Sequence, residues 1–152
     1  MGNAFDTFDQ YSRTAVPGQL QDRNMADVVS RSAGEDGINF GHAVHETSHR
    51  EARLPTGAEV SQGITLREEV MVNPDASNPE AVYDTGDNMS VIRVGRVWVN
   101  TVDGSNFGED VFVVPDTGEL TNPASGGTNI QLPNAAFKSS AAAGGTALVQ
   151  LN

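Results

Sequence analysis

The sequence contains no cysteine. Disulfides, thiolate metal sites and a cysteine nucleophile are therefore excluded, and stability has to come from packing and backbone pairing. Positive charge is scarce: nine Lys and Arg stand against 20 Asp and Glu, for a formal charge of -11 and a pI near 4.4. Lys138 is the single lysine. A surface of that sign repels DNA and RNA, so nucleic-acid binding is not expected. Aromatic residues make up only 6% of the chain, so stacking platforms are few. No apolar run approaches the ~20 residues of a membrane-spanning helix. The residues before the first apolar positions carry Asp6 and Asp9 and no basic side chain, unlike a signal peptide. Met1-Gly2 begins like a myristoylation site, but Asp6 stands where Ser or Thr is needed. These features predict a soluble protein made without export.

What is abundant is punctuation. Sixteen Gly and seven Pro separate short apolar runs over 152 residues, a length that suits one domain burying roughly 70% of its unfolded surface. Little of the chain has helical periodicity. Residues 1–37 read as an extended arm, with a turn at Pro17-Gly18 and one helical turn near Asp27–Ser30. Residues 38–152 read as a β domain. Ile38, Phe40, His42 and Val44 alternate with smaller or polar residues, as in a half-buried strand. Gln62–Leu66 and Val70–Val72 are two further short runs. The strongest signal is Met89–Val102, with Val91, Val97 and Val99 on one face and Ile92, Val94, Trp98 and Val102 on the other. Gly95 between Arg93 and Arg96 marks a bulge or bend, and apolar residues on both faces demand cover on both. Asp110–Val114 and Glu119–Thr121 flank Pro115-Asp116-Thr117-Gly118 as a hairpin. Thr146–Leu151 is an apolar run that has to be held inside a sheet. The fold expected is all-β: a small barrel or sandwich of short strands with an extended N-terminal arm.

Three segments spell enzyme motifs, and each also suits a loop. His45-Glu46-Thr47-Ser48-His49 matches H-E-x-x-H, which on a helix would place two imidazoles on one face for zinc, with Glu46 as base and Glu68 or Glu69 as a third ligand. Thr47, Ser48, Arg50 and Glu51 would leave such a helix no apolar face, and the preceding residues alternate as a strand, so a polar loop is the better reading. Asp84-Thr85-Gly86 and Asp116-Thr117-Gly118 spell the aspartic-protease triplet, whose chemistry needs two carboxylates from two similar lobes or subunits. The two lie too close in sequence for separate lobes, and both read as turns. Asp103–Asp110 is rich in oxygen ligands but lacks the spacing of an EF-hand loop, and reads as a hairpin-type loop. The sequence therefore predicts no catalytic residues, no metal and no cofactor.

The order of the punctuated segments carries a resemblance. Pro17-Gly18-Gln19-Leu20 and Asp27-Val28-Val29-Ser30-Arg31 lead into Ile38-Asn39-Phe40-Gly41-His42-Ala43-Val44. Tyr83-Asp84-Thr85-Gly86-Asp87, Val91-Ile92-Arg93-Val94-Gly95-Arg96-Val97-Trp98-Val99 and Pro133-Asn134-Ala135-Ala136-Phe137 follow, before the final Ala147-Leu148-Val149-Gln150-Leu151. This order resembles the structural cement, or capsid decoration, proteins of tailed bacteriophages from about Pro17 onward. The resemblance implies a β-barrel-like domain that assembles as an oligomer on the outside of the capsid, bridges neighbouring major capsid subunits and resists the pressure of packaged DNA. A homotrimer is the first expectation and a dimer the alternative; the partner is the major capsid protein. The expected contact residues are Pro17, Leu20 and Arg23 in the arm, with Arg93 and Arg96 in the long strand, where the two arginines serve equally well as internal ion-pair partners. The runner-up function is a virion-surface module that binds a host glycan, for which Tyr11, Tyr83 and Trp98 are the candidate platforms.

Overall fold

The computed structural model describes residues 15–22, 26–67, 82–122 and 127–152. The Val70–Val72 run, Arg23, Tyr11 and the first fourteen residues lie outside them. Among the described residues there are eleven strands and no helix. They are β1 Asp27–Ala33, β2 Ile38–Asn39, β3 Ala43–Glu46, β4 Glu51–Arg53, β5 Gly63–Thr65 and β6 Val82–Tyr83. The second half supplies β7 Asn88–Asn100, β8 Asp110–Val113, β9 Leu120–Thr121, β10 Ile130–Phe137 and β11 Thr146–Leu151.

Strand β7 organises both halves of the molecule. The main sheet runs β1-β4-β3-β5-β7-β11-β10-β8-β9, and β1 also pairs with β7, so the first five strands form a closed ring. Beyond β7 the sheet continues through β11, β10 and β8 to β9. A parallel bridge from Leu120 to Thr101 brings that end back to the end of β7. Closure in this way satisfies edges that an open sheet would leave unpaired. The short β2–β6 pair lies apart from this sheet and supplies Ile38 and Tyr83 to the smaller core.

Two cores follow from this arrangement. The smaller contains Ala33, Ile38, Phe40, Val44, Tyr83, Met89 and Val91. The larger contains Ile64, Ile92, Val97, Val99, Leu132 and Phe137, among others. Side chains alternate along a strand, so Met89 and Val91 should share a face with Val97 and Val99. They do not. Asp27 pairs with Val94 and Val28 with Ile92, which leaves Arg93 as one extra residue on β7. That bulge shifts the alternation, and odd-numbered residues pass from the small core to the large one. The cover needed on both faces of β7 therefore comes from its own chain.

Two sequence expectations are corrected here. Asp27–Ser30 is not a helical turn but the start of β1, paired with β7 along most of its length. Alternating Val28, Ser30 and Ser32 left too weak an apolar signal to reveal it. Ile38–Val44 is not one strand either: β2 ends at Asn39 and β3 begins at Ala43, with a turn at Phe40-Gly41 between them. Gly41 has φ 76° there, and a side chain on it would come 2.8 Å from the backbone nitrogen of Gly18. A side chain on Gly18 would in turn lie 2.7 Å from that of Arg67. Two glycines back to back let the Pro17-Gly18 turn seat against the β2–β3 turn.

Candidate functional site: a capsid-contact surface

Pro17 and Leu20 lie along the chain's own long strand. Trp98 accepts a bond from the Gly18 N–H (2.8 Å) and donates to the Gln19 carbonyl (3.0 Å), and the Gln21 N–H donates to the Arg96 carbonyl (3.0 Å). Because β11 occupies one edge of β7 over Gly95–Asn100, the 18–21 segment takes the other edge. Both Pro17 and Leu20 are half-buried, and Leu20 packs on the larger core. Backbone pairing thus brings Leu20 opposite Val97, next to Arg96. Arg93 and Arg96 are exposed on either side of Val94-Gly95.

The two arginines differ in their partners. Arg93 Nε lies 3.9 Å from Glu46 Oε1, a long contact for a side chain 44% exposed. Arg96 Nε donates to Gln150 Oε1 at 3.2 Å, and no carboxylate pairs with it among the described residues. An exposed contact of this length is worth little. Both cations remain available to a partner on an otherwise acidic protein.

The segments with enzyme-like spelling serve the fold. His45 and Glu46 end β3, and the residues after them make the turn into β4, so H-E-x-x-H is not helical. His45 Nδ1 contacts the Val60 carbonyl at 2.8 Å, while His49 Nε2 accepts from Arg50 Nε at 3.2 Å. The imidazoles engage separate partners. Asp84-Thr85-Gly86 clasps the turn before β2: Asp84 Oδ1 accepts the Gly37 N–H (3.2 Å) and Asp36 Oδ1 accepts the Thr85 N–H (2.8 Å). Those bonds from Thr85, backbone first, hold the Asp36 carboxyl below its ordinary value. Asp116 and Gly118, at φ 71° and 70°, close the β8–β9 hairpin, and the Gly118 carbonyl accepts from Ala43 at 2.8 Å. Two loops with catalytic spelling are thus spent on joining the halves of the chain.

Glu59 is the most perturbed acid among the described residues. Arg53 grips it with both terminal nitrogens, at 2.9 and 2.8 Å, and Thr56 donates its hydroxyl and its N–H. These bonds, the arginine's first, lower its pKa from 4.5 to about 2. The folded value lies below the unfolded one, so its stabilisation is complete above about pH 4.5 and lost as pH falls toward 2. Glu59→Gln is expected to lower the urea midpoint at pH 7 and to flatten its decline between pH 5 and 2. Chemical denaturation of both proteins across that range checks it; parallel acid limbs would refute it.

The glycan-platform residues sit poorly for that role. Tyr83 is fully buried, edge-on to Phe40 with ring centres 5.1 Å apart, and its hydroxyl donates to the Leu66 carbonyl at 2.6 Å. Trp98 is half-buried. Phe107, 71% exposed with Lys138 Nζ 5.5 Å from its ring centre, is an open aromatic that sequence reasoning passed over. Its loop lacks alternation, so no pattern signalled it.

Comparison with known proteins decides the family. The family model for the structural cement protein (E217 gp24/Pam3 gp6) matches residues 6–152. The chain belongs to the phage structural cement family. Among solved structures, a chain in the capsid of Myoviridae phage XM1 has a similar fold, with a TM-score of 0.69 at 16% identity. That match covers 90% of this chain and 89% of the other. The head fibre gp8.5 N base of bacteriophage phi29 aligns over 84% of this chain and 95% of that one, at 12% identity and a TM-score of 0.44. A search of curated proteins found no match. This cement protein is accordingly a structural component associated with the phage capsid.

Proposed function

We propose that this cement protein binds the outer surface of the phage head, bridges neighbouring major capsid subunits and stabilises the shell by binding rather than by catalysis. The observation that carries this reading is the family match, which spans the arm and both halves of the β structure. The arrangement of charge supports it. Arg93 and Arg96 present exposed, weakly engaged cations on either side of Val94-Gly95, while Asp103, Glu109, Asp110, Asp116 and Glu119 leave the stretch after β7 acidic. A protein that binds the assembled shell and not its separated subunits stabilises that shell by mass action. Attachment through an oligomer, a trimer in the first instance and a dimer in the second, multiplies weak contacts. Pro17, Leu20, Arg93 and Arg96, together with Arg23, are the proposed contact residues.

Sedimentation of the purified protein, alone and with undecorated capsids of its phage, tests the proposal. An oligomer that pellets with the shells and raises their melting temperature is expected. A monomer left in the supernatant would sink the bridging role.

A further inference from the structure

Two bulges, on strands that are not neighbours in the sheet, converge on one recess. The first is Arg93 on β7. The second lies on β10, where Gln131 faces Phe112 of β8 but the next pair is Ala136 with Asp110, leaving Leu132–Ala135 out of that ladder. Pro133 has no N–H to donate, and Asn134 takes φ 58°, so the local sequence enforces the interruption. Between them opens a groove of about 390 Å³, lined by Asp27, Val60, Ser61, Arg93, Val94 and Pro133, with the β10 bulge and the end of β11 closing its far wall. Bulges are over-represented beside functional sites because they re-aim side chains and end strand pairing.

Three properties of this groove are left uncompensated within the chain. Val60 and Val94, both in its lining, are 42% and 38% exposed. They are two of the five large hydrophobics exposed among the described residues, so the groove offers apolar contact to a partner. The Ser61 hydroxyl is buried and has no hydrogen-bond partner, although the residue is only 3% exposed. Two further buried polar atoms lack hydrogen-bond partners among the described residues, Glu46 Oε1, 3.9 Å from Arg93 Nε, and Arg31 Nε, whose guanidinium reaches Glu46 Oε2 at 3.4 Å; neither residue lines the groove itself. Buried polar atoms are normally paired, and the Ser61 hydroxyl in the groove lining is an exception that a bound partner can satisfy. Finally, the Arg93 cation is only weakly paired, because its contact with Glu46 is long and Glu46 is shared with Arg31.

We infer that the groove between the Arg93 and Pro133-Asn134 bulges seats an extended segment of the major capsid protein, with an apolar side chain on Val60 and Val94 and a carboxylate on Arg93. The inference rests on the capsid-binding reading above. The shape admits a few side chains of an extended strand, not a folded face. The chemistry selects an amphipathic segment: apolar contact alone would leave Arg93 unpaired, and a basic segment would meet it with like charge.

The test uses Val94→Gln and Arg93→Gln in the full chain, with undecorated capsids as the probe; neither places a new carboxylate beside Asp27 or Glu46. Both side chains are exposed, so the melting temperature of the free protein is expected to stay unchanged. Each variant is expected to weaken co-sedimentation with shells by about tenfold or more, as loss of a central contact does. In parallel, Val94 replaced by photoreactive p-benzoylphenylalanine is expected to cross-link to the major capsid protein on the shell. Variants that bind as tightly as the unsubstituted chain would overturn the groove while leaving capsid binding intact. Cross-linking confined to the same chain or to a second copy would overturn it as well. Failure of the unsubstituted chain to bind shells would instead remove the capsid reading on which it rests.

Discussion

Deleting Thr146–Asn152 is expected to leave a chain that does not fold. β11 lies inside the sheet, pairing with β7 from Thr146↔Asn100 to Leu151↔Gly95 and with β10 through Ala135↔Leu151 to Phe137↔Val149. Its removal strips one edge from each neighbour and takes Ala147, Leu148, Val149 and Leu151 out of buried positions. Burying one Val or Leu side chain contributes about 1.5–3 kcal/mol, so the three large residues account for roughly 5–9 kcal/mol. A domain of this size is stable by about 5–15 kcal/mol in all. The loss is comparable with the whole, before the exposed edges of β7 and β10 are counted. Circular dichroism and thermal melting of the purified truncation check the point, and a soluble product with a cooperative melt would refute it.

Phe137→Ala is expected to give the largest loss for a single substitution. Phe137 is fully buried in the larger core, and its N–H donates to the Glu109 carbonyl at 2.9 Å while its carbonyl accepts from Gly108 at 2.8 Å. Those backbone bonds hold the position whatever the side chain, so the neighbours are poorly placed to collapse into the space left behind. Phenylalanine-to-alanine changes in such settings cost about 3–5 kcal/mol. At about 2–4 °C per kcal/mol for a chain of this length, the melting temperature should fall by roughly 6–20 °C. Phe107→Ala is the comparison, because that ring is 71% exposed and should move stability by about 0.5 kcal/mol or less. Equal shifts in the two variants would show that burial of Phe137 is not what holds the larger core.

The fold class was legible because period-two alternation and turn residues report directly on backbone geometry. Met89–Val102, Asp110–Thr121 and Thr146–Leu151 stand close to where they were expected, as β7, the β8–β9 hairpin and β11. β1 and β10 were not legible. One has its two valines adjacent instead of alternating, and the other is broken by Pro133, which reads as punctuation until the partners on both sides are known. The candidate contacts divide in the same way. Arg93 and Arg96 stood out as cations in an apolar strand, and their exposure follows from the bend beside Gly95. Val60, Ser61 and Pro133 carry no signal of their own and gain meaning only from the groove they share.

The sequence by itself determined that this is a cysteine-free, acidic chain of short strands, because composition and alternation depend on neighbours in the chain. It also determined that the Asp-Thr-Gly triplets are turns, since each lies between strand-like runs. Only the tertiary structure decided that β7 divides two cores within one chain, that the 18–21 segment lies along it, and that two distant bulges meet at one groove. The reason is that strand pairing joins residues as far apart in sequence as Leu20 and Val97, and their register is set by which partner lies alongside.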